Sequence, residues 1–496
     1  MPQDVGLQKK IMSVESQQAK TKEQPFTLNL KDAIFLALRN NSSIKSTELN
    51  RITQKYSVVV AKHAFEPNYT LTGSYLYSQS SSGKSNSYST ATNLTPAVSL
   101  KDVYGTTFSL NMSNPLGRYY NPSLQLQVLQ PLLRGFGREI TEAALRNALD
   151  TEEINKLMLK KNVSNMVVTI ISNYFNWVLQ TARLKIDQQT LASYERNVTN
   201  DELKLSLGKI AKNDLVQDLA RVAGQKVSIE SDLNSISQAR LTLLKNMGLD
   251  ADTPIKAPED INYEEVVNIF KGPYLKSTGD EFPKIEKCLE LTFANDPTYK
   301  STEYTLRQTR RNLAVAENNM RWQLNLTATA QRGGGSGGGA NAGIESLLNA
   351  RNHSEQARLD LTIPVDDVNL KASLLNTRVA LQAAEINFRD LKRQMEINVF
   401  NMRNTAISDY KRLQLNRNAL ELQRKTVEIA QLKHDYGKIS SFELIKDQET
   451  LHSTEINFLQ TEVNYLNGLR DFNETMGVTL EVWGIELRDF DHAKID

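Results

Sequence analysis

Two kinds of hydrophobic periodicity alternate along the chain. Residues 138–207 contain no proline or glycine, and their apolar positions recur in steps of four and three, which predicts a long helix with a heptad seam. The seam consists of Val163, Val167, Ile170, Tyr174, Trp177, Thr181 and Leu184. Residues 68–78 instead alternate between two faces, with Tyr69 and Leu71 on one of them, which predicts a strand. The pattern thus predicts a mainly α protein with a small β part.

The same reasoning places the other elements. A second long helix is predicted at about 370–436, and Gly208 and Gly437 are expected to end the two long helices, because glycine tolerates the positive φ that follows a helix end. Residues 79–102 are rich in Ser, Asn and Thr and are predicted to form a loop. The remaining predictions are helices at 30–64, 214–248, 284–320 and one reaching Met476, with strands at 106–112, 123–130, 322–332 and 357–363. Counting the two pieces at 106–112 and 123–130 as one segment, we therefore expect four strand segments, two from each half of the chain.

The two halves are related by an internal duplication. The segment from Leu203 to Asp218 closely resembles residues 432–447, at an offset of 229 residues (437 − 208). Such a long period predicts a duplicated domain rather than a short solenoid repeat. Earlier segments match at an offset of 255 (288 − 33), and segments beyond residue 123 match at 233 (359 − 126). The first copy is therefore predicted to carry an insertion of about 22 residues between 73 and 125.

This duplication predicts the division of the chain. The N-terminal segment is expected to be disordered, and each repeat is expected to hold a helix, two strands, a long helix and a shorter helix. The predicted divisions are a disordered segment at 1–26, the first repeat at 27–248, a linker at 249–282, the second repeat at 283–477 and a tail at 478–496.

Composition excludes several classes of protein. With 59 basic and 57 acidic residues the net charge is only +2, which argues against a nucleic-acid-binding protein. Cys288 is the single cysteine, so no disulfide framework is expected. No run of 18 apolar residues predicts a transmembrane helix. Residues 1–25 lack the apolar core of a signal peptide, so we expect either a cytosolic protein or a chain that begins after a removed leader.

The sequence contains no pattern that predicts an enzyme. The glycine run at 333–339 is not followed by the Lys and Ser or Thr of a phosphate-binding loop, so we interpret it as a mobile turn between strands. The five histidines show no metal-ligand spacing, and no nucleophile lies at an interpretable spacing from a base. We therefore expect no catalytic residue, no metal and no cofactor.

The strands leave two interpretations open. Four strands bury little by themselves, and their open edges favour pairing with other chains. In lipid, strands from neighbouring copies would have to close into a barrel, with tyrosines such as Tyr69, Tyr75 and Tyr77 at the membrane interfaces. The alternative is a soluble hairpin with aromatic residues at its edge.

Four motifs in order resemble the TolC-type outer-membrane efflux family, also called outer membrane factors, over about residues 27–480. They are the opening segment from Leu28 to Asn41, the strand-to-helix junction from Leu129 to Arg138, its partner Leu361-Thr362-Ile363-Pro364, and the tip from Tyr436 to Ile445 with its copy at Gly208. The resemblance implies a homotrimer in which four strands per protomer contribute to a twelve-stranded transmembrane β-barrel, and long antiparallel helical hairpins form an α-barrel.

The resemblance also implies a function. Such a chain would be the passive exit duct of a tripartite efflux or type I secretion system, in the bacterial outer membrane with a periplasmic extension. Its partners would be the lipid bilayer, a periplasmic adaptor (membrane fusion) protein and an inner-membrane pump of the RND or ABC type. The alternative function is a soluble coiled-coil scaffold, which agrees with the heptad seams but gives no role to the paired strands.

The matching positions define the candidate site residues. Lys446 stands where the family commonly has a second acid, so the charge of the constriction stays open, and an exposed surface position is an alternative for His434. The predicted pore constriction consists of Asp214, Glu443, Lys446 and His434; the adaptor-docking tips of Gly208, Lys209, Ile210, Gly437, Lys438, Ile439 and Ser440; and the strand-to-helix junctions of Pro131, Gly135, Gly137 and Pro364.

Overall fold

The computed structural model describes residues 26–83, 85–116, 120–208, 212–258, 263–272, 282–334, 345, 347–348 and 352–486. It divides into two compact units. As far as they are described, the first unit takes in the residues up to Ser46, Asn162–Asn295 and Ile397–Arg488, and the second takes in Thr47–Lys161 and Asp296–Glu396. This division does not follow the repeat boundaries predicted from the sequence, because both long helices supply residues to both units.

Helices make up most of the described chain. The helices are α1 (Leu30–Asn40), α2 (Ser42–His63), α3 (Arg138–Thr141), α4 (Ala143–Ser206), α5 (Lys212–Met247), α6 (Tyr263–Lys271), α7 (Ile285–Asn295), α8 (Pro297–Asn319), α9 (Val368–Asp435), α10 (Ser441–Thr475) and α11 (Thr479–Val482). The strands are β1 (Phe26–Thr27), β2 (Asn68–Ser82), β3 (Ser85–Lys101), β4 (Thr107–Leu116), β5 (Ser123–Pro131), β6 (Ile255–Lys256), β7 (Gln323–Gly333) and β8 (His353–Thr362). The predicted fold class, mainly α with a small β part and an internal duplication, is confirmed.

The two long helices follow the heptad prediction. In α4 the seam residues Val163, Val167 and Ile170 are buried, because each step of four or three residues returns to the same face after about one turn. Helix α9 begins and ends within two residues of its predicted bounds. None of the helices in the described ranges combines the length and the hydropathy that a membrane crossing requires.

The helices predicted at 30–64 and 284–320 are each broken in two, at equivalent positions of the repeats. Asn41 Oδ1 accepts hydrogen bonds from the backbone N–H groups of Ser43 and Ile44, at 2.9 and 3.2 Å, and so caps α2. Asp296 Oδ1 accepts one from Tyr299 N–H at 2.7 Å, and Pro297 begins α8. The breaks are related by the offset of 255 (296 − 41), so they belong to the duplicated design.

The segments predicted as a linker and a tail are packed parts of the first unit. Strand β6 pairs in parallel with β1, and Phe270 of α6 is buried. The buried Asn473 side chain donates to Phe270 O at 2.8 Å, which ties α6 to α10. Beyond Met476, helix α11 buries Leu480. Residues 1–25 lie outside the described ranges, so the prediction of a disordered N-terminal segment stays a prediction.

The main sheet has six antiparallel strands, where the sequence predicted four. Their order is β2-β3-β4-β5-β7-β8, a meander in which neighbours in sequence are neighbours in space. The prediction of a loop over 79–102 is wrong, since these residues complete β2 and form all of β3. By the two offsets β2 corresponds to β7 and β5 to β8, so β3 and β4 are additional. They account for the predicted insertion.

The end of α5 gives a first testable prediction. Gly248 has a φ of 71°, and a Cβ there would lie 2.5 Å from the Asn40 carbonyl oxygen. Gly208 has a similar φ of 68° with nothing within 4 Å of a Cβ. Alanine at position 208 should cost about 1 kcal/mol of the free energy of unfolding, the ordinary penalty of a left-handed residue, and alanine at 248 about 1 to 2 kcal/mol more. Denaturant unfolding of both variants checks this, and equal losses would contradict it.

Candidate functional site: the helix tips

Two turns connect the long helices to the helices that follow them. Gly208 and Gly437 have φ values of 68° and 69°, and each N–H donates to a carbonyl of the preceding helix, Leu205 O and His434 O, at 2.9 Å. In the second turn, Ser440 and Glu443 form a capping box, in which each side chain accepts from the backbone N–H of the other. The turns are therefore built by backbone geometry and by one capping carboxylate.

Five of the residues predicted for adaptor docking are described, and they lie around these turns. Gly208, Gly437, Lys438 and Ser440 are exposed, and Ile439 is half-buried. Lys209 and Ile210 lie outside the described residues, as does the side chain of Asp214. The described members form an exposed surface at the second turn.

The predicted constriction residues whose side chains are described differ in exposure. Glu443 and Lys446 are exposed on α10, whereas His434 is buried, with 5% of its surface exposed. The alternative of an exposed surface histidine is therefore wrong. The imidazole is covered because it lies against side chains of both α4 and α10.

A polar cluster, which we call the tip network, surrounds His434. It consists of Asp201 and Lys204 on α4, His434 on α9 and Ser441 on α10. Lys204 Nζ lies 2.7 Å from His434 Nε2 and 3.2 Å from Asp201 Oδ1. Ser441 Oγ donates to Asp201 Oδ1 at 3.2 Å and lies 3.1 Å from His434 Nε2. Burial, together with the Lys204 ammonium, lowers the pKa of His434, so its neutral ring can accept a hydrogen bond from that ammonium. The tip network joins the two helical hairpins.

Three more polar contacts join the hairpin of α4 and α5 to α10. Asn197 Nδ2 donates to Gln448 Oε1 at 2.9 Å, in a buried position. Arg221 Nε donates to Glu449 Oε1 at 3.1 Å, and His452 Nε2 is hydrogen-bonded to Asp187. Together with the tip network these contacts form a ladder along α10, and any separation of the hairpins must break it.

Two pairs of buried carboxyl groups lie between α4 and α5. In the first pair, burial and the neighbouring Asp201 raise the pKa of Asp218 to about 6. In the second, burial and the neighbouring Asp187 raise the pKa of Asp232 to about 6. Burial also opposes ionisation of Asp187, but hydrogen bonds with Asp232, His452 and Gln225 outweigh it and hold its pKa below the usual range.

Each pair contains atoms that require a proton. The Oδ2 atoms of all four carboxyls are buried and receive no hydrogen bond in the described structure. The described residues also contain no group of three or more His, Cys, Asp or Glu side chains arranged to hold a metal ion. A single proton shared within each pair satisfies both carboxyls, which is why one pKa in each pair is raised.

The strand-to-helix junctions lie in the second unit. Pro131 ends β5 and is buried, and Gly135 and Gly137 have φ values of 85° and 107°. The Gly135 N–H donates to Asn318 Oδ1 at 2.8 Å, which ties this junction to α8. Pro364 is half-buried between β8 and α9. These junction residues turn the chain from the sheet into the helices.

Sequence reasoning missed the buried aspartates. Asp187, Tyr194 and Asp201 recur every seven residues, so they share one face of α4, and all three are buried. That spacing was the available signal. Their partners on α5 lie across the hairpin, and the sequence alone does not pair them.

No protein-family model matches the chain. Among curated proteins it is similar to TtgC of Pseudomonas putida, described as a probable efflux pump outer membrane protein, with 23% identity over 160 residues. ArpC of Pseudomonas putida, described as an antibiotic efflux pump outer membrane protein, matches to the same extent. The matched segment covers 31% of this chain and 31% of each relative.

Solved structures match over nearly the whole chain. CusC, described for the conformational changes that accompany folding and transmembrane channel formation, aligns with a TM-score of 0.67 and 17% identity over 93% of this chain and 95% of its own. The outer membrane protein VceC of Vibrio cholerae aligns with a TM-score of 0.67 and 13% identity, over 90% of this chain and 96% of its own. The open state of the MtrE outer membrane channel of Neisseria gonorrhoeae aligns with a TM-score of 0.66 and 16% identity, over 90% of this chain and 88% of its own. These likenesses show the fold.

Proposed function

We propose that this chain, which has the fold of the TolC-type outer-membrane efflux family, is the outer-membrane exit duct of an efflux or type I secretion system. The observation that carries the proposal is the fold itself, aligned over about nine tenths of the chain with channel structures. The functional unit is a trimer in the bacterial outer membrane, open to solutes without their chemical conversion. An adaptor protein and an inner-membrane pump of the RND or ABC type complete the pathway.

The ladder along α10 supports a mechanism for opening. Buried hydrogen bonds and ion pairs hold only while their partners remain in contact, and a stranded buried charge costs several kcal/mol. The ladder therefore favours the packed arrangement of the two hairpins, in which the passage at the tips is narrow. An adaptor that binds the exposed surface around Gly437, Lys438 and Ser440 supplies the free energy needed to separate the hairpins.

The direct test is electrical. The chain is expressed behind an export leader, extracted from the outer membrane in mild detergent and inserted into planar bilayers. We expect a trimer of about three 55.9 kDa chains that produces discrete conductance steps. A protein recovered only from the soluble fraction, or a membrane protein that never conducts, would overturn the proposal and leave the coiled-coil scaffold.

A serine pair tests the tip network. Replacing Ser441 by alanine removes the hydroxyl that donates to Asp201, so the open probability of single channels is expected to rise severalfold, since losing such a bond costs about 1 kcal/mol or more. Ser453 lies on the same helix, is exposed, and bonds only locally to Thr450 O. Ser453→Ala makes the same chemical change away from the network and should leave gating unaltered. Equal open probabilities in both variants would argue against a closing role for the network.

The charge of Glu443 is expected to contribute to ion selectivity. A ring of three such carboxylates at a narrow passage attracts cations. Glu443→Gln is the suitable variant, because glutamine can keep the capping box with Ser440 while it removes the charge. We expect the reversal potential in a salt gradient to shift towards lower cation preference. Adding Asp214→Asn should enlarge the shift, and a reversal potential identical to that of the wild type would refute the constriction assignment.

A further inference from the structure

The six-stranded sheet has one apolar and one polar face. Alternate residues of a strand point to opposite faces, and cross-strand partners share a face. Two adjacent rows show the contrast: Tyr69, Val98, Leu110, Leu126, Ala330 and, in β8, Glu355 on one face, and Thr70, Ala97, Asn111, Gln125, Gln331 and Ser354 on the other. An antiparallel sheet of this kind separates a lipid from an aqueous lumen.

The additional strands continue the same two faces. In β3, Leu94, Val98 and Leu100 alternate with Asn93, Ala97, Ser99 and Lys101, in phase with β4, where Val98 pairs with Leu110 and Leu100 with Phe108. Tyr69 and Leu71 extend the apolar face to the edge of the sheet and are 74% and 69% exposed. A polar extramembrane flap would have no reason to keep this alternation in register.

The apolar stretch of β2 also has the length of a membrane strand. It runs from Tyr69 to Tyr77, close to the roughly 9 to 11 residues with which a tilted strand crosses the hydrocarbon. Beyond it, residues 78–87 are serine, asparagine and glutamine apart from Gly83 and Lys84. Tyr77 and Tyr88 lie at this boundary with ring centroids 6.5 Å apart, where membrane barrels carry aromatic girdles.

The apolar band shifts along the strands from one edge of the sheet to the other. In β2, Tyr69 is the apolar residue nearest the helices. The same row reaches Glu355 in β8, where the apolar residues Leu359 and Leu361 lie closer to the helices. Strands of a closed barrel are tilted by roughly 35 to 45°, and a band parallel to the membrane then crosses successive strands at shifting positions. The shift of the apolar band from β2 to β8 is the one expected for tilted strands of a single wall that includes β2 and β3.

Both edges of the sheet lack a strand partner in the described structure. They are β2 and β8, which do not pair with each other. Open edges are not tolerated in lipid, because their backbone N–H and C=O groups have no water to bind. Five antiparallel pairings separate β2 from β8, so the two edges run in opposite directions. β8 of one chain can therefore pair antiparallel with β2 of the next, and one chain supplies both halves of the contact.

We propose that all six strands form the membrane wall and that β2 pairs with β8 of a second copy of this chain. This inference rests on the proposed function and extends it. Three copies then form a barrel of eighteen strands, a size that leaves an aqueous channel, rather than the twelve implied by the family resemblance. A twelve-stranded wall made of four neighbouring strands that keep β5, β7 and β8 together would begin at β4 and would have to break the pairing of β4 with β3.

Cysteine cross-linking in membranes distinguishes the two seams. Asp360 of β8 is replaced by cysteine together with one polar-face residue of β2, Thr70, Thr72 or Ser74, because these positions share the face of Asp360 in any antiparallel register. The matched set places the second cysteine in β4, at Thr107, Ser109 or Asn111. The only native thiol, Cys288, is buried and remains in both sets.

Among the variants that pair a cysteine at 360 with one in β2, we expect one to oxidise to covalent dimers and trimers. None of the variants that pair it with a cysteine in β4 should do so. Cross-linking of the β4 set, or of neither set in a membrane trimer, would overturn the six-strand wall while leaving the exit duct intact. A chain that is absent from the membrane fraction would instead remove the proposed function itself.

Thiol accessibility in β3 provides an independent readout. Val98 and Ser99 are neighbours on opposite faces of the sheet. A cysteine at 99 should react at least tenfold faster with a membrane-impermeant maleimide than a cysteine at 98, which the lipid would shield. Equal, rapid labelling of both would place the hairpin outside the bilayer and reject the proposal.

Discussion

Lowering the pH is expected to raise the free energy of unfolding of the wild-type protein, and the double variant Asp218→Asn/Asp232→Asn is expected to lose most of this rise. Each of these carboxyls has a pKa of about 6 in the folded protein and an ordinary value of 3.8. Between these values the folded chain holds a proton that the unfolded chain has released, so the free energy of unfolding falls as the pH rises from about 4 to 6. A shift of this size corresponds to about 3 kcal/mol for each group.

Thermal or denaturant unfolding at pH 4.5 and pH 7.5 measures the effect. From pH 7.5 to pH 4.5, the free energy of unfolding of the wild type should rise by several kcal/mol relative to that of the double variant. The reason is that an amide neither titrates nor needs the shared proton. Glu195→Gln is the control, since its ion pair with Lys226 is exposed on the same hairpin and should contribute less than about 1 kcal/mol. A wild type and a double variant with the same pH slope would show that the pairs do not share protons.

Loss of Arg51 is expected to cost about 3 to 5 kcal/mol of the free energy of unfolding. Its guanidinium on α2 pairs with both oxygens of Glu152 on α4, and one of these contacts, Nη1 to Oε2, measures 2.9 Å. The two side chains are 5% and 12% exposed. Arg51→Met therefore leaves the Glu152 carboxylate buried without its cation.

The matched variant is Arg51→Met/Glu152→Met, which removes both charges and keeps apolar volume in the contact. It should recover most of the stability, since replacing a buried ion pair by apolar groups is often neutral. Denaturant unfolding of the two single variants and the double variant completes the cycle. A double variant as unstable as Arg51→Met alone would show that packing, rather than the stranded charge, carries the cost.

The long helices were predictable because their information is local. Val163, Val167 and Ile170 alternate at heptad spacing over a stretch without proline or glycine, and the two glycine turns end the pattern. The breaks at Asn41 and Asp296 carried equally local signals, a capping side chain in each and Pro297 in one, but the continuous apolar pattern concealed them.

Strand β3 was missed for a physical reason. Its first residues, with their partners at the end of β2, lie beyond the apolar band, so serine, threonine and asparagine occupy both faces and no alternation marks a strand. Pairing along β2 holds it in place instead. The tip network was hidden in a different way, since Lys204 and His434 are 230 residues apart in sequence and only the fold brings them together. For the assigned constriction and docking roles, the sequence gives residue types and positions, and the roles stay predictions.

The extra strands in the first repeat also bear on how helices and strands would join in the proposed trimer. Four helices meet the sheet through the chain connections at His63, Arg138, Asn319 and Val368. Side by side at about 10 Å each, they occupy an arc of roughly 40 Å. Six strands spaced about 4.8 Å apart and tilted by about 45° span roughly 41 Å of circumference, whereas four would span only about 27 Å. In the proposed trimer, the inserted hairpin would therefore give the strands about the same perimeter as the helices, so that the channel need not narrow where helices meet strands.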